Sequence, residues 1–216
     1  MIPPGGRIGR RWFACGAMLA LAGCASLFVA TPPGKLFRLV APRNFPPGLP
    51  HAEVQLEIDL PQAPAGIDTD RIALSRSPLS LDYFADSEWT DRAPNLIQNL
   101  LLAAFENSGA ITAVESSSGG LRADFALRTE IRHFEAVYEN ANGPPRIWVE
   151  IIARLVVVRQ RVIVAQMRFE QQVPAAANDV PSIVAAFNIA TDAVVRDIVI
   201  WALSNPALSQ PRRGLM

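Results

Sequence analysis

Three long β-prone segments follow one another in the second half of the chain, and they restrict the fold more than any other feature. In the first, 123–139, apolar and polar side chains alternate, which is typical of a strand with one buried face. The alternation changes phase near Arg132 and His133, and a residue inserted there indicates a β-bulge. The second, 147–159, is nearly continuous in apolar residues, so we expect it in the middle of the sheet. With 162–172 as the third strand, the segments predict an antiparallel meander.

Shorter strands and two helices surround this meander in the sequence. One helix is predicted over 91–109, where Asp91 is expected to accept free backbone N–H groups, Pro94 fits the first turn and Gly109 ends the helix. The other, 181–203, has a continuous apolar stripe. The order β-β-β-β-α-β-β-β-β-α predicts an α+β fold, a single domain with a mixed or mainly antiparallel sheet and both helices packed on one face. The shorter strands are predicted at 36–40, 54–60, 72–74, 79–85 and 111–114.

The first residues have the composition of an export signal rather than of a folded element. Three arginines within residues 7–11 precede an uncharged apolar segment, 12–22. Its length fits a signal-peptide core of roughly 7–15 residues and is short of the ~20 that span a bilayer. The sequence Leu-Ala-Gly then precedes Cys24, and this pattern resembles the lipobox of bacterial lipoproteins. The resemblance implies that Cys24 receives a diacylglycerol thioether, that the signal is cut before it, and that the new amine is acylated.

This interpretation divides the chain into four parts. Residues 1–23 form the signal peptide, 24–34 a tether, 35–204 the folded domain and 205–216 a frayed tail rich in proline and arginine. Acyl chains, at ~0.8 kcal/mol per buried methylene, would hold the protein at the membrane surface far more firmly than one myristoyl group. Because Ala25 stands where an aspartate would favour the inner membrane, the resemblance to sorted lipoproteins favours the outer membrane.

Composition and motifs argue against several classes of function. The 216 residues carry 20 basic and 20 acidic side chains, without the clustered basic face typical of nucleic-acid binding. Cys15 leaves with the signal and Cys24 is capped by lipid, so no disulfide is expected. His51 and His133 lack neighbouring ligands, so neither a metal nor a cofactor is predicted. The serine-rich segment 116–120 lacks the Gly-x-Ser-x-Gly pattern of a nucleophile, and no phosphate-binding loop is present, so we expect no catalysis.

Four apolar residues near the first helix, Tyr83, Phe84, Trp89 and Leu102, allow two interpretations. In the first, Tyr83 and Trp89 pack under the helix while Phe84 takes the opposite face of its strand. In the second, the aromatic residues form a lip that contacts lipid or a partner protein, and Leu102 belongs to the same surface. An exposed hydrophobic patch of more than a few hundred square ångströms would favour the second interpretation.

The order of motifs in residues 66–109 resembles the ABC-type transport auxiliary lipoprotein family. An aromatic strand at 81–85 is followed by Trp-Thr-Asp at 89–91 and by a helix. The resemblance covers roughly residues 35–205, including the long C-terminal helix. It implies an outer-membrane lipoprotein facing the periplasm, working beside an ABC transporter and an Mce-type substrate-binding protein that moves phospholipid between membranes.

On this resemblance we expect a lipid-anchored, non-enzymatic component that acts by tethering and docking. One alternative is an assembly lipoprotein that scaffolds an outer-membrane barrel or a cell-wall complex. Another, an envelope hydrolase, lacks a nucleophile with its base. Direct contact with phospholipid stays open at this point, and so does a homo-oligomer formed through an exposed strand edge such as 36–40.

Overall fold

One mixed sheet of eight strands, covered by helices, forms the body of the protein. The computed structural model describes residues 34–120, 122–140 and 143–209. The order of the elements agrees with the order predicted from the sequence. The strands are β1 (Lys35–Phe37), β2 (Ala52–Ile58), β3 (Arg71–Ser77), β4 (Ser80–Trp89), β5 (Ile111–Ser116), β6 (Phe125–Val137), β7 (Arg146–Val157) and β8 (Val162–Pro174). The helices are α1 (Ala93–Ser108), α2 (Val180–Leu203) and α3 (Pro206–Ser209).

Strands β6, β7 and β8 form the antiparallel meander that the sequence predicts. β7 pairs with β6 on one side and with β8 on the other, so the most apolar strand is central, as expected. The register of β6 shifts between Ile131 and His133, which confirms the predicted bulge. Because the bulge reverses the alternation, Ile131 and Phe134 both face the core. His133 lies on the opposite side of the sheet, which we call the outer face.

The other flank of β6 carries two strands in parallel orientation, which makes the sheet mixed. β2 pairs with the beginning of β6, at residues 125–127, and β3 pairs near its end, at Ala136 and Val137. β5 extends the sheet beside β2, while β4 and then β1 extend it beside β3. The hairpin of β3 and β4 therefore lies beyond the Val137 end of β6.

The first helix begins and ends close to the predicted positions. α1 has Pro94 in its first turn, and Gly109, with a φ of 60°, is its left-handed C-cap. The predicted role of Asp91 as the cap is wrong, because Arg92 occupies the N-cap position and none of the described side chains caps the helix there. Asp91 lies one residue too early. Its Oδ1 instead accepts hydrogen bonds from the backbone N–H of Arg92 at 2.7 Å and from the Asn95 amide at 2.8 Å.

Gly109 gives a direct stability prediction. An alanine Cβ is strained at a φ of 60°, so we expect Gly109→Ala to lower the free energy of unfolding by about 1 kcal/mol. Gly143→Ala is the control, because Gly143 is not left-handed and an added Cβ would meet no atom of the described residues closer than 3.6 Å. Urea denaturation followed by circular dichroism measures both variants. Equal midpoints would contradict the proposed strain.

α1 and α2 cover one face of the sheet, as predicted, and enclose the core. α1 packs on β2 and β5, α2 packs on β7 and β8, and the two helices touch each other. At the centre of the core, the centroid of the Phe187 ring lies 5.2 Å from that of the Trp89 ring and 5.1 Å from that of the Phe134 ring. All three side chains are buried. Within the described ranges, no helix combines the length and the apolar character needed to cross a membrane.

The prediction of a frayed tail from residue 205 onward is wrong for its first residues. Pro206 begins α3, where its fixed φ suits a first helical turn, and α3 packs beside β2. Leu208 is buried in the main core, and the burial of this apolar side chain holds the short helix in place. Residues 210–216, and the predicted signal and tether over 1–33, lie outside the described residues.

Candidate functional site

A groove of about 570 Å³ opens between the β3–β4 hairpin and the outer face of β6 and β7. It exists because β3 pairs with the last residues of β6, which places the hairpin turn beside the outer face of the meander. Its volume falls within the range of roughly 300–1,000 Å³ that is typical of small-molecule sites. The lining comprises Ser75, Arg76, Ser77, Pro78, Leu79, Ser80, Leu81, His133, Glu135, Val137, Tyr138 and Trp148.

The floor of the groove is a stacked pair of rings. The imidazole of His133 and the indole of Trp148 have centroids 3.4 Å apart and planes 7° apart. The β6 bulge puts His133 on the outer face, and Glu135 follows on the same face two residues later. Nδ1 of His133 lies 2.7 Å from Oε1 of the buried Glu135, and this contact fixes the orientation of the imidazole. The floor therefore consists of two aromatic rings in contact, with a buried carboxylate beside the imidazole.

The rim carries one cation and two exposed leucines. Leu79, at the hairpin turn, is 97% exposed, and Leu81 is exposed beside it. The Arg76 guanidinium lies 5.5 Å from the centre of the Tyr138 ring and 3.8 Å from a carboxylate oxygen of Asp82. Burial raises the pKa of the Tyr138 hydroxyl, an effect that the Arg76 charge opposes. The groove thus combines apolar walls with a positive charge at one side.

The hydrogen bonds of the groove do not join His133 to a hydroxyl among the described residues, although Ser75, Ser77 and Ser80 line the same groove. Three His, Cys, Asp or Glu side chains placed to hold a metal ion are likewise not found among the described residues. What the arrangement supports is the binding of an apolar group against the His133–Trp148 floor.

A second exposed apolar surface lies at the free edge of the meander. Among the described strands, β8 pairs only with β7, so its other edge presents unpaired backbone N–H and C=O groups. The part of β8 near the β7–β8 turn also exposes four large apolar side chains, which together we call the β8 apolar edge: Val162, Ile163, Val164 and Met167. A long exposed strand with such side chains is a site for pairing with another chain.

The predicted aromatic lip is wrong for Trp89. This side chain is 1% exposed and packs against Phe134, with ring centroids 5.8 Å apart, and against Phe187. The first interpretation is correct for Trp89 as a core residue. It fails for Phe84, which packs against the core rather than on the opposite face. Leu102 is also half-buried against the core, so the four residues do not form one exposed surface.

Tyr83 takes a position that neither interpretation predicts. Its hydroxyl donates a hydrogen bond to the Gly66 carbonyl at 2.9 Å, and the Arg71 guanidinium lies 3.9 Å from its ring centre. The reason is a second irregularity, in β4, where the register with β3 shifts and Asp86 has a φ of 51°. Because of this bulge, Tyr83 and Trp89 point to opposite faces of the sheet, although a regular strand would put both on the same face. Aspartate adopts the left-handed conformation more readily than most residues. Asp86 is therefore the residue in the β4 sequence that could have indicated this bulge.

Sequence reasoning does not identify the groove, and Cys24 lies outside the described residues. The phase change in β6 located the bulge, but the stacking of His133 on Trp148 depends on the pairing of β6 with β7. Nothing in the local sequence around Leu79 and Leu81 indicates that these leucines line a groove. Only the placement of the β3–β4 hairpin against the outer face shows that they border a cavity.

One comparison with known proteins assigns the chain to a family, and two others find similar proteins. The family model described as ABC-type transport auxiliary lipoprotein component matches residues 37–199. The crystal structure of protein XCC0632 from Xanthomonas campestris is similar at 27% sequence identity and a TM-score of 0.74, over 79% of this chain and 95% of that one. Protein bll6063 of Bradyrhizobium diazoefficiens is 29% identical over 173 residues, which cover 77% of this chain. The match spans 44% of that relative's own length.

Proposed function

The chain belongs to the family of ABC-type transport auxiliary lipoprotein components, and on this premise we propose that it serves an Mce-type intermembrane phospholipid transport system. In this role it is a lipid-anchored periplasmic component that works by tethering and docking, without catalysis. Family membership supports the link to a transport system. The observation that supports docking is the β8 apolar edge, since a free strand with exposed apolar side chains can pair with a partner protein.

The anchor in this proposal is the acylated Cys24 in the outer membrane. A chain extends at most ~3.3–3.6 Å per residue, so the tether of residues 24–34 keeps the folded body within about 40 Å of the bilayer surface. Confinement of this kind raises the effective concentration of the body toward a partner that reaches the same membrane. The tether therefore allows a modest docking affinity to suffice.

Docking at the β8 apolar edge joins two kinds of contact. The free backbone groups of β8 would pair with an extended segment of the Mce-type protein, which supplies affinity. The side chains of Ile163 and Val164 would pack against that segment and select apolar partners. Arg161, in the turn before the strand, has a left-handed φ of 56°, so pairing would be limited to the residues that follow it.

Two matched isoleucines test the docking surface. Ile163 on β8 is 53% exposed and Ile189 on α2 is 58% exposed, so Ile163→Asp and Ile189→Asp place the same charge on equally accessible positions. We expect Ile163→Asp to reduce the amount of Mce-type protein that co-purifies by about tenfold or more, because a carboxylate would be desolvated in the contact. Ile189→Asp should leave co-purification unchanged.

Quantitative mass spectrometry of tagged protein extracted in mild detergent measures the effect. Equal recovery of the partner with both variants would contradict docking through β8. Recovery of an outer-membrane barrel protein in place of the Mce-type protein would instead support the assembly lipoprotein of the alternative.

A further inference from the structure

We propose that the groove between the β3–β4 hairpin and the outer face binds one acyl chain of an anionic amphiphile, with Arg76 beside the charged head. The inference rests on the proposed function and deepens it, because it gives the auxiliary component a direct contact with lipid. It concerns a different surface from the β8 apolar edge.

The apolar part of the groove is suited to a flexible hydrocarbon chain. The floor contains the stacked His133–Trp148 pair, and the walls are a proline, two leucines, a valine and a tyrosine ring. Ion pairs cover much of the outer face outside the groove, so the groove is a distinct apolar region. These pairs include Arg128–Asp59 at 2.9 Å, Arg154–Glu130 at 3.1 Å and Arg168–Glu150 at 3.0 Å.

The exposure of Leu79 indicates that the groove is incomplete without an occupant. A leucine that is 97% exposed at the turn of a hairpin contributes nothing to the core of this protein. Together with Leu81 it lines one side of the cavity, opposite the ring floor. A chain lying between the floor and these leucines would remove apolar surface from water on both sides, and this is the usual driving force for such binding.

The charge around the groove favours an anionic head group. Arg76 is more than half exposed, and its ion pair with the equally exposed Asp82 is long, at 3.8 Å, so the pair competes weakly with a ligand phosphate or carboxylate. The carboxylate that lines the groove, Glu135, is buried and already in contact with Nδ1 of His133. An arginine can bind the oxygens of phosphate or carboxylate with two parallel hydrogen bonds.

The size of the groove favours a chain over a protein segment. About 570 Å³ is the volume of a small-molecule site. A stable protein contact usually buries about 800 Å² on each partner, which is a surface far wider than one hairpin and two rings. We therefore assign the groove to a single acyl chain and keep the docking of proteins for the β8 apolar edge.

Quenching of Trp148 by brominated lipid tests this assignment. The mature lipidated protein, held in amphipol, would be titrated with 9,10-dibromostearate and, separately, with phosphatidylglycerol that carries dibrominated chains. Bromine quenches indole fluorescence only at contact distance. Trp89 is buried in the core and Trp201 contacts Phe169 on the helix side, so Trp148→Phe should remove most of the saturable quenching.

Three variants make the test decisive. We expect Leu79→Asp to weaken the quenching titration by about tenfold, since it places a charge against the chain at a position too exposed to affect folding. Ile189→Asp, on the other side of the sheet, should have no effect. Arg76→Gln should weaken binding of the anionic lipids but not of the methyl ester of 9,10-dibromostearate, which has neither a carboxylate nor a phosphate.

The two titrations distinguish the sources of the chain. Saturation by dibromostearate alone identifies a free fatty acid, and saturation by the phospholipid identifies a membrane lipid. Absence of saturable quenching by either lipid, or equal titrations for the wild-type protein and Leu79→Asp, would overturn the assignment. A crosslinker at residue 79 that captures protein but never lipid would overturn it in favour of a protein contact. None of these measurements depends on the co-purification experiment with Ile163→Asp. Failure of lipid binding in the groove can therefore be distinguished from failure of docking at β8.

Discussion

Cys24→Ser is expected to remove the protein from the outer membrane. Serine provides no thiol for the thioether, so the signal would not be cut as a lipoprotein signal and the acyl chains would be absent. Each methylene buried in the bilayer contributes ~0.8 kcal/mol, and loss of all chains should reduce the fraction of the protein found in the outer membrane by more than about tenfold. Membrane fractionation followed by intact mass measurement detects both the loss from the outer membrane and the missing acyl mass.

Cys15→Ser is the control for this experiment. Cys15 lies within the apolar segment 12–22 of the predicted signal and Cys24 directly after that signal, and only Cys24 follows Leu-Ala-Gly. The Cys15 variant should therefore keep the acyl mass and the membrane location of the wild-type protein. Membrane-bound, acylated protein in the Cys24→Ser sample would contradict the proposed anchor, and loss of acylation in both variants would show that the signal as a whole had been damaged.

Among the substitutions considered, Phe187→Ala is expected to lower the free energy of unfolding most. The Phe187 ring is fully buried between Trp89 and Phe134, and its removal leaves a cavity that these rigid rings cannot fill. Large-to-small substitutions of this kind cost about 3–5 kcal/mol, a large part of the 5–15 kcal/mol that stabilises a typical domain. Denaturation in urea, with the intrinsic fluorescence of Trp89 as one probe, measures the change.

A neighbouring exposed residue on α2 provides the comparison. Ile189→Ala removes apolar atoms from a position that is 58% exposed, and we expect a change within about 0.5 kcal/mol. A loss of less than about 1 kcal/mol for Phe187→Ala would mean that the α2 side of the core is not packed as described. Equal losses for the two variants would lead to the same conclusion.

Features set by local alternation could be predicted from the sequence. The bulge in β6 follows from the phase change at Arg132 and His133, because a strand with one buried face cannot exchange faces without an inserted residue. The central place of β7 follows from its continuous apolar sequence. The end of α1 follows from Gly109, whose left-handed φ most residues avoid.

Features set by long-range pairing could not be predicted. The sequence does not specify that β2 and β3 both pair with β6, one at its beginning and one at its end, because parallel partners share no turn. The bulge at Asp86 moved Trp89 into the core and Tyr83 away from it, and this invalidated the predicted lip. The groove depends on both arrangements, since it joins residues near 79 with residues near 133 and 148.

Identification of the proteins that co-purify with the native, tagged protein tests the proposed function most directly. Extraction of cell membranes in mild detergent, affinity capture and mass spectrometry would be compared with a capture of the Ile163→Asp variant. We predict that the wild-type protein retains an Mce-type substrate-binding protein together with the ATPase and membrane subunits of one ABC transporter. Recovery of a barrel assembly complex without any transporter subunit would contradict the assignment to lipid transport.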